Sequence, residues 1–455
     1  MTADPQDHHA AESPRHRRVV TTSRRRLLAG AAALVGGLAL SSWPTARRAV
    51  AAAATKRSQV RLTLPAPTGP YRIGTAALHL VDHDRQDPYW TTPHPRELMV
   101  NIWYPARGVG RLAPWMPPGA LTYYRPELEE FLSSSPDTPP GEEPIDEPVS
   151  LAGVEFPITH AGQDVPVALS ARPYPVVLFS PGAGQNREEG TTLVEELASH
   201  GYVVVTISHT YQAPEVEFPG GRVERGRREG PTVVPNEAVA LRRVDVQFVL
   251  DSLTALAAGT NPDAGRRRLP VGLAGCFDMT KVGMFGHSLG GATTAQAMAN
   301  DPRVIAGINL DGSFFPEDVN PIGAQPGEIE PALERIAERI GERPFMIMGS
   351  IGVSPDEFGI MTSIVWHNLR GWRRFISLVG SSHGSYTDGQ VIFPQLAAAG
   401  IIPSADPWMG TIDPDRSIAA QRAYIRAFFD RTLLGRDSHL LDGPSAAYPE
   451  ANFYM

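Results

Sequence analysis

Two stretches of this chain hold a serine between glycines at G-x-S-x-G spacing, Gly286-His287-Ser288-Leu289-Gly290 and Gly380-Ser381-Ser382-His383-Gly384. A serine hydroxyl is a weak nucleophile until a histidine takes its proton, and that histidine must itself be oriented by a carboxylate. The motif acquires this meaning when a buried strand runs into the serine and a helix opens behind it. The sharp turn then lifts the hydroxyl above the edge of the sheet. Ser288 has that setting: Val282 to Phe285 is apolar, and a small-residue helix is predicted from about Leu289 to Ala299. A plain glycine-rich turn is the alternative. Ser382 also follows a strand-like run, but Ser385-Tyr386-Thr387-Asp388-Gly389 does not read as a helix start.

In the strand–serine–helix arrangement the acid and then the histidine follow the nucleophile in chain order. Beyond Ser288 stand His367, His383 and His439. His367 lies in a helix-like stretch and His439 in the tail. His383 comes just after the last predicted sheet strand, where a loop can reach back over Ser288. Two carboxylates compete for the acid. Asp311 ends the run Val304 to Leu310, Asp356 follows the next strand, and position alone leaves them nearly even. Asp388 reads as a loop-stabilising group. An oxyanion needs preorganised N–H donors. Leu289, directly after the nucleophile, is one, and Ala183 in Phe179-Ser180-Pro181-Gly182-Ala183-Gly184 is the other candidate. Phe314 and Phe315, just past Asp311, are candidates for an acyl pocket, with core packing an equal alternative.

The elements that must position these groups are short apolar strands alternating with helices. Strands are predicted at Tyr71 to Val81, Glu97 to Tyr104, Val176 to Phe179, Tyr202 to Ile207, Val282 to Phe285, Val304 to Leu310, Phe345 to Met348 and Phe375 to Val379. Helices are predicted at Glu188 to His200, Asn236 to Leu256 and Ile418 to Leu433, besides the one after Ser288. That alternation implies a mostly parallel sheet covered on both faces, an α/β architecture. With the serine turn it predicts the α/β-hydrolase fold in one catalytic domain, 58–440, followed by a tail, 441–455. A proline-rich insertion, 106–172, carries Trp115, Met116, Leu121, Tyr123, Tyr124, Phe131 and Leu132. These form either a lid or lipid-facing patch or, more simply, a loop excursion packed on the domain.

Residues 1–57 hold ten Lys/Arg against three Asp/Glu, a balance of +7, so in a chain of net charge −8 the remainder stands at −15. An acidic body argues against nucleic acid or an anionic membrane as the main partner. Ser23-Arg24-Arg25-Arg26 precedes an apolar run, Ala29 to Leu40, and Ala49-Val50-Ala51 offers a small-residue cleavage site. Residues 1–54 therefore read as a twin-arginine-type export signal, which predicts contact with the export machinery and a secreted protein. The apolar run falls short of the roughly 20 residues a spanning helix needs. Cys276 is the single cysteine, so no intramolecular disulfide can form, and a buried structural thiol is expected. Neither zinc-ligand spacing nor a dinucleotide fingerprint stands out, so no metal and no cofactor are predicted.

Taken in order, several strings resemble the type II platelet-activating-factor acetylhydrolases, extracellular and intracellular, and their bacterial relatives. They are Asn101-Ile102-Trp103-Tyr104-Pro105, the Phe179 to Gly184 loop, Ala198-Ser199-His200-Gly201-Tyr202, and Arg243-Val244-Asp245-Val246-Gln247-Phe248-Val249-Leu250-Asp251. The serine turn, Asn309-Leu310-Asp311-Gly312 and His383-Gly384-Ser385-Tyr386-Thr387-Asp388 complete the set. The resemblance spans roughly Tyr71 to Leu434. It implies a serine esterase with Asp311 as the acid, Ala183 and Leu289 as oxyanion donors, and no metal. The implied substrates are esters at the second position of phospholipids, acetyl or otherwise short or oxidised, with transient contact with lipid surfaces. Pro181 and Tyr386 depart from the family pattern, which has histidine and phenylalanine there, and both changes bear on the acyl and head-group pockets. A triglyceride or polyester hydrolase is the nearest other activity. A non-catalytic binding protein on the same fold is the alternative of a different class.

Overall fold

The computed structural model describes residues 60–134, 148–227 and 235–455, apart from 322, 351 and 353. The predicted export signal, 1–54, lies outside these. Eleven strands make one sheet: β1 Arg72–Gln86, β2 Pro95–Ala106, β3 Leu112–Pro114, β4 Ile158–Gln163, β5 Tyr174–Ser180, β6 Val203–Ser208, β7 Phe277–His287, β8 Val304–Leu310, β9 Phe345–Gly349, β10 Arg373–Leu378 and β11 Ala451–Tyr454. Their spatial order is β11-β10-β9-β8-β7-β5-β6-β2-β1-β4-β3.

The six strands from β10 to β6 are mutually parallel, and their sequences explain why. Val176-Val177-Leu178-Phe179 and Val203-Val204-Val205 are apolar without alternation and wholly buried, the signature of strands covered on both faces. Ala306 and Ile308 face a cluster built from α2 (Thr191–Ser199) and α8 (Pro414–Leu434), including Leu193, Leu197, Phe428 and Phe429. Gly307 between them lies instead against Thr294 and Met298 of α4 (Leu289–Asn300). The two-residue period of the strand thus sends side chains to helices on opposite sides. With α3 (Pro235–Ala257) and α5 (Pro326–Ile340) beside α4, and α6 (Ile360–Asn368) beside α5, this is the expected α/β-hydrolase fold.

Three expectations need correction. Residues 441–455 are no loose tail, because Ala451–Tyr454 pairs antiparallel with β10 and closes that edge of the sheet. The insertion 106–172 is only partly loop. It contains α1 (Pro118–Ser133), and its β4 runs parallel to β1. Trp115, Met116 and Leu132 are buried with Leu128, Phe393 and Trp408, while Tyr123 and Phe131 remain exposed. The described residues of the insertion are therefore a packed part of the domain. Finally, the stretch after Ser385 does lead into a helix, α7 (Gly389–Ala398), despite its glycine start and internal Pro394. Burial of Ile392, Phe393 and Leu396 in the insertion's core overrides the local preference. Cys276 is buried, and burial pushes its thiol up to about 12, so it is inert at neutral pH.

Candidate active site

The C-terminal ends of β7, β8 and β10 bring Ser288, Asp311 and His383 to one edge of the sheet. β7 ends at His287, and Ser288 stands alone before α4 with φ 53° and ψ −119°. This conformation costs about 1–3 kcal/mol and persists only where the surroundings over-determine it. Here they do. The Ser288 N–H donates to the Leu310 carbonyl at 2.8 Å, and the flanking glycines permit the close approach. A Cβ on Gly290 would lie 1.9 Å from the Ser180 carbonyl oxygen, and one on Gly286 would lie 2.3 Å from the Gly290 carbonyl. Both helix and neighbouring strand must come that close for the turn to form.

Asp311 also has positive φ, 55°, one residue past β8. The Asn309 amide fastens this reversal, donating to the Gly312 carbonyl at 2.8 Å and accepting from the Gly312 N–H at 2.8 Å. The buried Asp311 carboxylate accepts from the Ser350 N–H at 2.5 Å and from the Ser350 hydroxyl at 2.8 Å. Its Oδ2 lies 2.6 Å from His383 Nδ1. With Nδ1–H committed to the carboxylate, Nε2 is the ring position left to accept a proton. The His383 side chain is 42% exposed against 3% for Asp311, so the carboxylate is shielded while the imidazole is open to solvent. Leu289 opens α4, where a backbone N–H has no partner within the helix. Ala183 is exposed at the tip of the loop that follows β5.

The sequence profile described as "Platelet-activating factor acetylhydrolase, isoform II" matches residues 57–439. The chain belongs to this family. A relative from Arthroderma benhamiae, "Probable 1-alkyl-2-acetylglycerophosphocholine esterase", is 26% identical over 411 residues, 86% of this chain and 93% of its own. The platelet-activating factor acetylhydrolase of Cavia porcellus is 32% identical over 168 residues, 33% of this chain and 38% of its own. Among solved structures, a ferulic acid esterase from Streptomyces cinnamoneus superposes with TM-score 0.62 at 33% identity, covering 87% of this chain and 99% of that one. This member of the acetylhydrolase family is a carboxylic-ester hydrolase, and the binding-protein alternative falls.

Within this acetylhydrolase-family site the two competing residues stand elsewhere. Asp356 lies exposed in a single helical turn, Pro355–Phe358, accepting from Ser363 and 3.0 Å from Nε2 of His367. Asp311 and not Asp356 is therefore the carboxylate at His383. Asp356→Asn is expected to change kcat/KM by less than about twofold, as surface substitutions away from a site do; steady-state kinetics check this. The Ser382 hydroxyl donates to the Trp408 carbonyl. Phe314 is wholly buried, 5.9 Å ring to ring from Phe345, so it packs the core and lines no pocket. Phe315 is partly exposed and packs with Leu289, Ala292, Ala238 and Val239 beside the serine turn.

Sequence reasoning missed several groups. Ser350 is one. His287 is another: its Nε2 donates to the His383 carbonyl at 2.9 Å, with the two rings 4.5 Å apart. Burial and the neighbouring His383 hold the His287 imidazole well below its usual range, so it adds no second positive charge when His383 is protonated. The motif shows this residue only as the variable position of G-x-S-x-G. Asp388 accepts from the Thr192 N–H at 3.0 Å and from Trp115 Nε1 at 2.7 Å, tying the His383 loop to α2 and the insertion. Burial raises its carboxyl to about 6.

A second Ser–His–Asp chain lies inside the protein. Ser180 Oγ is 3.0 Å from His209 Nε2, and His209 Nδ1 is 2.9 Å from Asp245 Oδ2. All three are fully buried, and Arg96 and Arg85 also pair with Asp245. Burial drops His209 to about 4. No substrate can reach this serine, so access distinguishes the two arrangements. Among the described residues, Asp437, His439 and Asp442 form a group with metal-ligand spacing, but both carboxylates pair with Arg431.

Proposed function

We propose that this hydrolase works by two-step acyl transfer on Ser288, with His383 as base and Asp311 as its orienting carboxylate. The observation that carries the reading is the 2.6 Å contact between Asp311 and His383 at the sheet edge where Ser288 is displayed. Ser288 Oγ attacks the ester carbonyl while His383 Nε2 takes its proton, and the Asp311 carboxylate stabilises the imidazolium. The N–H groups of Ala183 and Leu289 hold the oxyanion, each worth about 3 kcal/mol of barrier. His383 then protonates the leaving alcohol. A water, deprotonated by the same histidine, releases the acid and restores the serine.

The substrate we propose is a short-chain ester, a 2-acetyl glycerophospholipid above all, on the strength of the family and the fungal relative's name. A second reading, an ester of a hydroxycinnamic acid, is favoured by the ferulic acid esterase that covers nearly its whole length here. Exposed Tyr123 and Phe131 on α1 support brief contact with lipid surfaces. Purified enzyme assayed on p-nitrophenyl esters of increasing chain length, a 2-acetyl phospholipid and methyl ferulate tests the choice. The acetyl phospholipid is expected to rank first by kcat/KM; methyl ferulate in first place supports the second reading. We also propose export by residues 1–54. A folded reporter carrying them is expected outside the cytoplasm and is expected to stay inside when Arg24, Arg25 and Arg26 become lysine.

A further inference from the structure

Arg242, on α3, is buried with 1% of its surface exposed. Its Nη1 donates to the Pro181 carbonyl at 2.5 Å, its Nη2 to the Gly182 carbonyl at 3.1 Å and its Nε to Gln212 Oε1 at 2.6 Å. All three acceptors are neutral. A guanidinium taken out of water loses much of its solvation, and here burial brings its pKa down to about 10. Packing alone would be served at least as well by an apolar side chain of similar length.

What the guanidinium does is fix two successive peptide groups. A trans peptide holds its C=O and its N–H pointing in opposite directions within one plane. The Gly182 carbonyl and the Ala183 N–H belong to the same plane. Drawing the Gly182 oxygen inward to Arg242 therefore turns the Ala183 N–H outward, at the exposed tip of the loop. The preceding plane is held the same way: the Pro181 oxygen goes to Arg242, and the Gly182 N–H donates to Gln185 Oε1 at 2.8 Å. Gln185 Oε1 also lies 2.8 Å from His287 Nδ1, which places this loop against the residue before Ser288. A cation on the carbonyl side also polarises the peptide and makes its N–H a better donor.

We infer that Arg242 is the positioning residue of the oxyanion hole, holding the Gly182–Ala183 peptide so that the Ala183 N–H faces the developing oxyanion. The inference rests on the reading of Ala183 as a donor. Its consequence is specific to the transition state, because a ground-state carbonyl carries little charge for that N–H to meet.

The test uses full-length Arg242→Met and Arg242→Lys, with p-nitrophenyl acetate as substrate and a trifluoromethyl ketone that forms a tetrahedral adduct on the serine. Arg242→Met is expected to lose about 100-fold in kcat, the effect of losing one oxyanion donor, with KM within about threefold of wild type. Ketone affinity should fall in proportion to kcat. Arg242→Lys keeps the charge but cannot reach both carbonyls, and is expected to lose about tenfold. It serves as the decisive variant if Arg242→Met does not fold. Wild-type kcat and ketone affinity in every folded variant overturn the inference. So does a loss confined to melting temperature, or one in which KM and ketone affinity change equally. Ser288→Ala run beside them separates the two levels. If it is inactive while the Arg242 variants keep wild-type kcat, only this inference falls; if it stays active, the serine mechanism beneath it falls.

Discussion

Ser288→Ala is expected to lower kcat by about 10⁵- to 10⁶-fold on every ester the wild type hydrolyses, the scale seen when a serine nucleophile is removed. The expected loss is in kcat, with substrate binding kept, because alanine fits the turn without adding volume. The turn itself does not depend on the hydroxyl. It is held by the Ser288 N–H to the Leu310 carbonyl and by the contact of Gly290 with Ser180. Melting temperature should accordingly stay within a few degrees of wild type, or rise if the hydroxyl adds strain. Steady-state kinetics with calorimetry check both halves. A large stability loss accompanying the activity loss would point to a structural serine.

Asp311→Asn is expected to lower kcat by about 10⁴-fold, because an amide inverts the polarity of the contact with His383. Ser350 already donates twice to this side chain, to Oδ1 through its N–H and to Oδ2 through its hydroxyl. An asparagine keeps its oxygen toward the Ser350 N–H and so turns its NH₂ toward His383 Nδ1. The ring is then driven to the tautomer with its proton on Nε2, which cannot accept one from Ser288. Loss of the carboxylate also removes the charge that stabilises the imidazolium. The expected signature is a large fall in kcat at neutral pH with recovery at high pH, where hydroxide takes the serine proton directly. A variant with unchanged kcat would remove Asp311 from the mechanism, and Asp356 is too far engaged with His367 and Ser363 to replace it.

β5 and β6 were legible because burial on both faces leaves unbroken runs of valine, leucine and phenylalanine in the sequence. The serine turn was legible because close approach admits only glycine at Gly286 and Gly290. Positions set by long-range contacts were not. Ser350 is an ordinary serine until β9 is placed beside β8, and His287 occupies a motif position open to any residue. Arg242 belongs to a helix whose pattern explains its apolar neighbours and leaves the arginine looking like a surface charge. Helix α7 begins with glycine and contains Pro394, and α5 contains Pro331; both are sustained by burial that local propensity cannot register. The terminal strand Ala451–Tyr454 is too short for a periodicity reading and takes its form from pairing with β10. Phe314 and Phe315 are adjacent and chemically alike, and only the direction of each side chain puts one in the core and the other beside the serine turn.

The serine mechanism is tested most directly by labelling the full-length enzyme with a fluorophosphonate, followed by digestion and mass spectrometry of the peptides. One phosphonate per chain, carried by Ser288 and absent from Ser288→Ala, with loss of esterase activity in step with labelling, is the predicted result. Stoichiometric label on another serine, Ser382 included, or full activity in an enzyme that takes up no label, would contradict it.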